Sequence, residues 1–209
     1  MPAWTLLVVE IVGTIAFAIS GAMLGLEKKM DIFGISILGL VTAVGGGVIR
    51  DLVLGLTPPN VFRNPVYALI AIGVSMIVFL PFVRRVFSRI RRLYDFLIFF
   101  MDSLGLGIFT VVGVRTAYNA GFRGVFLLLF VGVITGVGGG ILRDVMAGNT
   151  PYVFVKHFYA CASLIGAFVC ILLWSIAGET LSMAVGFAVI LVLRFLAAYF
   201  HWELPKASL

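Results

Sequence analysis

Long apolar runs recur along the chain, each ended by a short polar or turn-forming cluster, and about 20 apolar residues suffice for one membrane-spanning helix. Seven such runs are present, at about 4–25, 33–55, 65–83, 96–115, 124–147, 156–176 and 181–200. The breaks are Glu27-Lys28-Lys29-Met30-Asp31, Thr57-Pro58-Pro59-Asn60, the basic run 84–95, Arg115 to Arg123, Gly148-Asn149-Thr150-Pro151 and Gly178-Glu179. In hydrocarbon the backbone polar groups must be satisfied within the segment, so the runs predict helices. The short alternating segments of a β-barrel are absent. The pattern predicts an all-α integral membrane protein with seven transmembrane helices in one membrane domain, 1–209. The first run is too long for a signal-peptide core and reads as a retained span.

Polar positions inside these runs carry a repeat. Residues 42–51 read Thr-Ala-Val-Gly-Gly-Gly-Val-Ile-Arg-Asp, and residues 135–144 read Thr-Gly-Val-Gly-Gly-Gly-Ile-Leu-Arg-Asp. The match continues through Gly55/Gly148, Thr57/Thr150 and Pro58/Pro151, all 93 apart. The first helices align at an offset of 92 through Glu10/Asp102, Gly13/Gly105, Phe17/Phe109 and Gly21/Gly113. Repeat 1 is therefore 4–83 (helices 1–3) and repeat 2 is 96–176 (helices 4–6), with helix 7 at 181–200 outside the duplication. Three spans per copy place the second copy upside down, giving inverted repeats of the kind found in many transporters.

Composition agrees with a membrane solvent. The 209 residues are 62% hydrophobic and 11% charged, against about 25% charged in a soluble protein. The net charge is +6. No nucleic-acid motif accompanies it, and the positions of the basic residues fit membrane orientation instead. Lys28, Lys29, Arg84, Arg85, Arg89, Arg91, Arg92, Lys156 and Lys206 fall on one side, and Arg63, Arg115 and Arg123 on the other. This places the N-terminus outside and the C-terminus in the cytoplasm. The basic residues at 84–92 suit anionic lipid at the inner leaflet. Cys161 and Cys170 are about 13 Å apart along one helix, too far to pair. No metal cluster, phosphate loop or nucleophile–base pair appears, so the sequence does not predict an enzyme.

Three sets of residues could carry transport. The triplets Gly45, Gly46, Gly47 and Gly138, Gly139, Gly140 weaken a helix by roughly 1 kcal/mol per glycine. They allow a kink that exposes carbonyls along a pore, or close helix packing. Arg50, Asp51, Arg143 and Asp144 put charges inside spans, where they line a pathway or latch helices together. Neighbours on a helix diverge by about 100°, so each Arg-Asp pair is expected to find partners elsewhere, Arg50 with Asp144 and Arg143 with Asp51 being one arrangement. Glu10 and Asp102 are lone acids in the first helix of each repeat, candidate vestibule groups for cations or couplers of protons. Arg194, late in span 7, is expected to snorkel to the interface.

The duplicated Gly-Gly-Gly-x-x-Arg-Asp, in seven spans over nearly the whole chain, resembles the prokaryotic branch of the TRIC family, the trimeric intracellular cation channels. It also resembles the related bacterial membrane domain described as a glycine transporter. The resemblance implies a homotrimer with one hourglass-shaped pore per subunit. It implies a pore lined by helices 2 and 5, bent at the glycine triplets, that conducts monovalent cations, chiefly K+, without a cofactor. By motif, the triplets and the Arg-Asp pairs would be the pore elements; Glu10 and Asp102 come from the repeat alone. Animal members carry a Lys-Glu-Val motif in place of the first Arg-Asp; this chain does not, so their lipid and calcium regulation is not implied. The expected location is the plasma or inner membrane. A secondary transporter of glycine or another small solute is the alternative, with zwitterion binding between facing half-helices.

Overall fold

The computed structural model describes residues 3–83, 91–155 and 158–202. Arg84, Arg85, Arg89, Lys156, His157 and Lys206 lie outside them. All regular structure among the described residues is helical: α1 (Ala3–Glu27), α2 (Ile32–Val53), α3 (Asn60–Arg63), α4 (Val66–Phe79), α5 (Arg91–Asn119), α6 (Val125–Met146), α7 (Tyr152–Val155) and α8 (Tyr159–Tyr199). Five of these, α1, α2, α5, α6 and α8, are long and apolar enough to cross a membrane.

Local chemistry sets the helix ends. Asp31 caps α2, its Oδ1 accepting from Gly34 N at 2.7 Å, which satisfies one of the free N–H groups of the first turn. The C-termini of α2 and α6 close in the same way. Leu56 N donates to Asp51 O and Asn149 N to Asp144 O, both at 2.8 Å, with Gly55 at φ 71° and Gly148 at φ 69°. Glycine adopts this left-handed geometry without strain, which makes the six-to-one bond of a Schellman cap possible.

One expected element differs. The span drawn at 65–83 is broken: α4 ends at Phe79, Leu80 is extended (φ −55°, ψ 140°), and residues 81–83 are helical again. Pro81 follows Leu80, and a proline drives the preceding residue out of the helical region. Spans six and seven meet at Gly178 (φ 75°, ψ 169°), whose non-helical geometry divides α8 into two halves. Its two halves pack against each other where Gly166 and Gly186 allow backbone contact. Beside the break, Arg115 and Glu179 form an ion pair at 2.5 Å.

The helices form two groups. α1, α2 and α4 pack together, as do α5, α6 and α8, and the groups join along α2–α6 and α1–α5. The α1–α5 seam is reciprocal. Phe17 covers Gly105, Phe109 covers Gly13, and the two rings stack at 5.3 Å.

Candidate functional site

The centre of the site is the α2–α6 crossing. A Cβ on Gly46 would strike the Thr135 carbonyl, and a Cβ on Gly139 would strike the Thr42 carbonyl. A Cβ on Gly138 would stand 3.2 Å from Gly46 Cα. Gly46, Gly138 and Gly139 thus let two backbones touch, while Gly45 makes room for the Leu142 side chain. Both helices continue through the triplets.

The third glycine of each triplet faces a charged cluster. On one side, Arg50 Nε and Nη2 each lie 2.8 Å from Asp51 Oδ1. Asp51 Oδ2 accepts from Asn60 N at 2.8 Å, which ties the end of α2 to the start of α3. Tyr67 donates its hydroxyl proton to Glu10 Oε2 at 2.5 Å. These groups and Gly47 border a cavity of about 50 Å³ that Phe109 also lines. One water needs roughly 10–15 Å³ by this measure, so a few water-sized groups fit. At Gly47 the nearest atom to a Cβ would be Arg50 Nη2, at 3.8 Å.

The other cluster has the same parts in a closed arrangement. Arg143 Nε donates to Asp144 Oδ1 at 2.9 Å, and Tyr152 N donates to Asp144 Oδ2 at 2.9 Å. Arg143 Nη1 continues to Asp102 Oδ1 and Ser20 Oγ, both at 2.6 Å. Arg143, Asp102 and Asp144 are each 1% exposed. Tyr159, 92 residues after Tyr67, does not hold its acid: its buried hydroxyl has no hydrogen-bond partner among the described residues. It lies 3.0 Å from where a Gly140 Cβ would stand.

The family follows from the doubled pattern. The sequence profile described as Glycine transporter matches twice, over residues 7–82 and 99–175. The chain belongs to this family. The UPF0126 inner membrane protein YadS of Escherichia coli is 40% identical over 203 residues, covering 96% of this chain and 95% of YadS. A solved prokaryotic TRIC channel in 0.5 M KCl matches with TM-score 0.86 and 32% identity, covering 97% of this chain and 100% of the other. The TRIC trimeric intracellular cation channel orthologue from Rhodobacter sphaeroides matches with TM-score 0.85 and 33% identity, covering 95% and 99%. The chain therefore shares the fold of prokaryotic TRIC channels, which are not enzymes.

Within that family fold, several sequence expectations are corrected. The Arg-Asp neighbours do pair with each other, and neither cross-pair, Arg50 with Asp144 or Arg143 with Asp51, forms. The arginine chain is long enough to swing its Nε back across the 100° between adjacent residues. Asp102 is no open vestibule acid, because Arg143 covers it, whereas Glu10 does line a cavity. Arg194 does not snorkel; it points inward and is 4% exposed. The residues overlooked were Tyr67, Tyr159 and Ser20. The two tyrosines share the 92-residue offset of Glu10/Asp102, a signal that was available; Ser20 had none, since Val112 stands at the matching position.

Proposed function

We propose that the protein is a potassium-permeable monovalent-cation channel of the plasma or inner membrane, with one pore in each subunit of a homotrimer. The observation that carries this reading is the whole-chain similarity to proteins described as TRIC channels. The site supplies a cavity at one end that is compatible with an entrance. A cation enters the cavity at Glu10, whose carboxylate attracts it, and moves past Gly47 along the α2–α6 crossing. Opposite, the path ends at Gly140, where Arg143, Asp102 and Tyr159 converge. Negative charge in a low-dielectric cleft concentrates cations. The Asp51 and Asp144 carboxylates act as latches, each with one oxygen on its arginine and the other on a backbone N–H.

In this reading α1–α4 and α5 with α6–α7 and the first half of α8 are inverted repeats, and the second half of α8 is the seventh span. The reciprocal Phe17/Phe109 and Gly46/Gly139 contacts support that arrangement. The N-terminus lies outside, by the positive-inside rule. Anionic lipid meets the basic 84–92 run, and no cofactor is needed.

Planar-bilayer recording of the purified protein tests the reading. Unitary K+ currents are expected, with Na+ compared under the same gradient. The profile description makes glycine the competing solute, so glycine uptake into proteoliposomes is measured in parallel. Saturable, gradient-coupled glycine uptake without unitary cation current would overturn the channel.

A further inference from the structure

Arg194 has no place in the duplication, since it follows the second copy in the last part of α8. Even so, its side chain reaches the Asp102 cluster. Its Nη2 stands 3.8 Å from Asp102 Oδ2, and its Nε donates to Ser103 Oγ at 3.2 Å. Its guanidinium lies over the rings of Tyr159, at 4.7 Å, and Phe99, at 4.9 Å. The aromatic faces hold the cation in place, which explains why it stays inside instead of extending to the interface.

The consequence is a further difference in charge between the two ends. Asp102 faces two guanidinium groups, Arg143 at 2.6 Å and Arg194 at 3.8 Å. Its counterpart Glu10 accepts from an uncharged tyrosine, and the arginine of that cluster is held on Asp51. Asp102 Oδ2 is buried with no hydrogen-bond partner among the described residues, and Arg194 at 3.8 Å acts on it through charge across a gap. A duplicated pore built only from the two copies would present similar electrostatics at both ends. The seventh helix adds one positive charge to one of them.

We propose that Arg194 is the residue that makes cation passage asymmetric: it offsets the Asp102 charge at one end of the path, while Glu10 keeps the other end attractive. This rests on the channel reading above. Cations then enter more readily from the Glu10 end, and the current rectifies in symmetrical salt. A fixed charge in a narrow, poorly hydrated cleft changes local ion concentration strongly, and mobile salt weakens that effect.

Single-channel recording in symmetrical KCl tests this, because each channel is compared with itself at the two polarities and its orientation in the bilayer does not matter. The wild type is expected to show unequal currents at equal and opposite voltages, with the inequality shrinking from 0.1 M to 1 M salt. Arg194→Gln is expected to raise the smaller current about two- to fivefold, and Arg194→Lys to restore the wild-type ratio. Glu10→Gln is expected to lower the larger current. Should Arg194→Gln not fold, Arg194→Met, which is also uncharged and long, carries the same comparison. A helix-packing role would lower thermal stability without moving the current ratio. A wild type with equal currents, or neutral Arg194 variants with the wild-type ratio, overturns the proposal alone. A wild type with no cation current overturns the channel reading together with it.

Discussion

Arg143 Nη1 lies 2.6 Å from Asp102 Oδ1, joining α6 to α5 across 41 residues of sequence. Both side chains are about 1% exposed. Removing one partner of a buried pair leaves an uncompensated charge and costs about 3–5 kcal/mol. Asp102→Asn and Arg143→Met are each expected to lower the melting temperature in detergent. The double variant Asp102→Leu with Arg143→Met removes both charges of this pair and is expected to recover part of the loss, but not all of it, because Asp144 and Arg194 each still lose a partner. A double variant as unstable as the sum of the singles would contradict this account.

Gly46 and Gly47 are adjacent but have opposite tolerances. A methyl at Gly46 meets the Thr135 carbonyl, whereas at Gly47 the nearest atom is 3.8 Å away. Gly46→Ala is expected to destabilise by about 1–3 kcal/mol, the usual cost of overpacking. Gly47→Ala gains up to about 1 kcal/mol from helix propensity. Gly139→Ala is expected to follow Gly46→Ala. Thermal unfolding of the three variants side by side gives the order directly.

At Gly47 a larger side chain projects into the cavity shared with Glu10. Gly47→Leu is expected to reduce unitary K+ conductance at least severalfold while the protein stays folded. Unchanged conductance in a folded Gly47→Leu protein would remove this cavity from the ion path.

Tyr67 and Glu10 separate charge from hydrogen bonding. Glu10→Gln removes the charge in the cavity, while Tyr67→Phe removes only the 2.5 Å hydrogen bond. Conductance is expected to fall in Glu10→Gln, most clearly at low salt, where screening is weakest. In Tyr67→Phe it should stay within about twofold, since the carboxylate remains and fixed charge sets the local ion concentration. Equal losses in both variants would show that geometry, not charge, governs entry.

Asp51 holds Arg50 with one oxygen and Asn60 N with the other. Asp51→Ala strands a buried guanidinium and releases the 54–60 turn. Limited proteolysis should cut this turn faster than in the wild type, and Asp51→Asn should fall between the two.

The apolar runs, the duplicated motif and the pairing of Glu10 with Asp102 as equivalents were readable directly from the sequence, because membrane helices must satisfy their backbone internally and because the two copies kept the same residues at one spacing. Helix ends at Asp31, Gly55 and Gly148 were equally local, since capping involves only neighbouring residues. The α8 turn at Gly178 and the stop of α4 before Pro81 rest on the same local chemistry.

Partner choice was not local. Whether Arg143 reaches Asp102 while Arg50 stays on Asp51 depends on how α5 and α6 sit against α1, α2 and α8. The role of the glycines was decided in the same way. Their residue type permits either a kink or a close crossing, and only the approach of the Thr42 and Thr135 carbonyls from the facing helix selects the crossing. The sequence by itself determined two equivalent sets of parts. The tertiary structure made them unequal, because Arg194 from outside the repeat and Ser20 from the first copy both converge on the second cluster, and a buried charge settles where the surrounding helices leave it a partner.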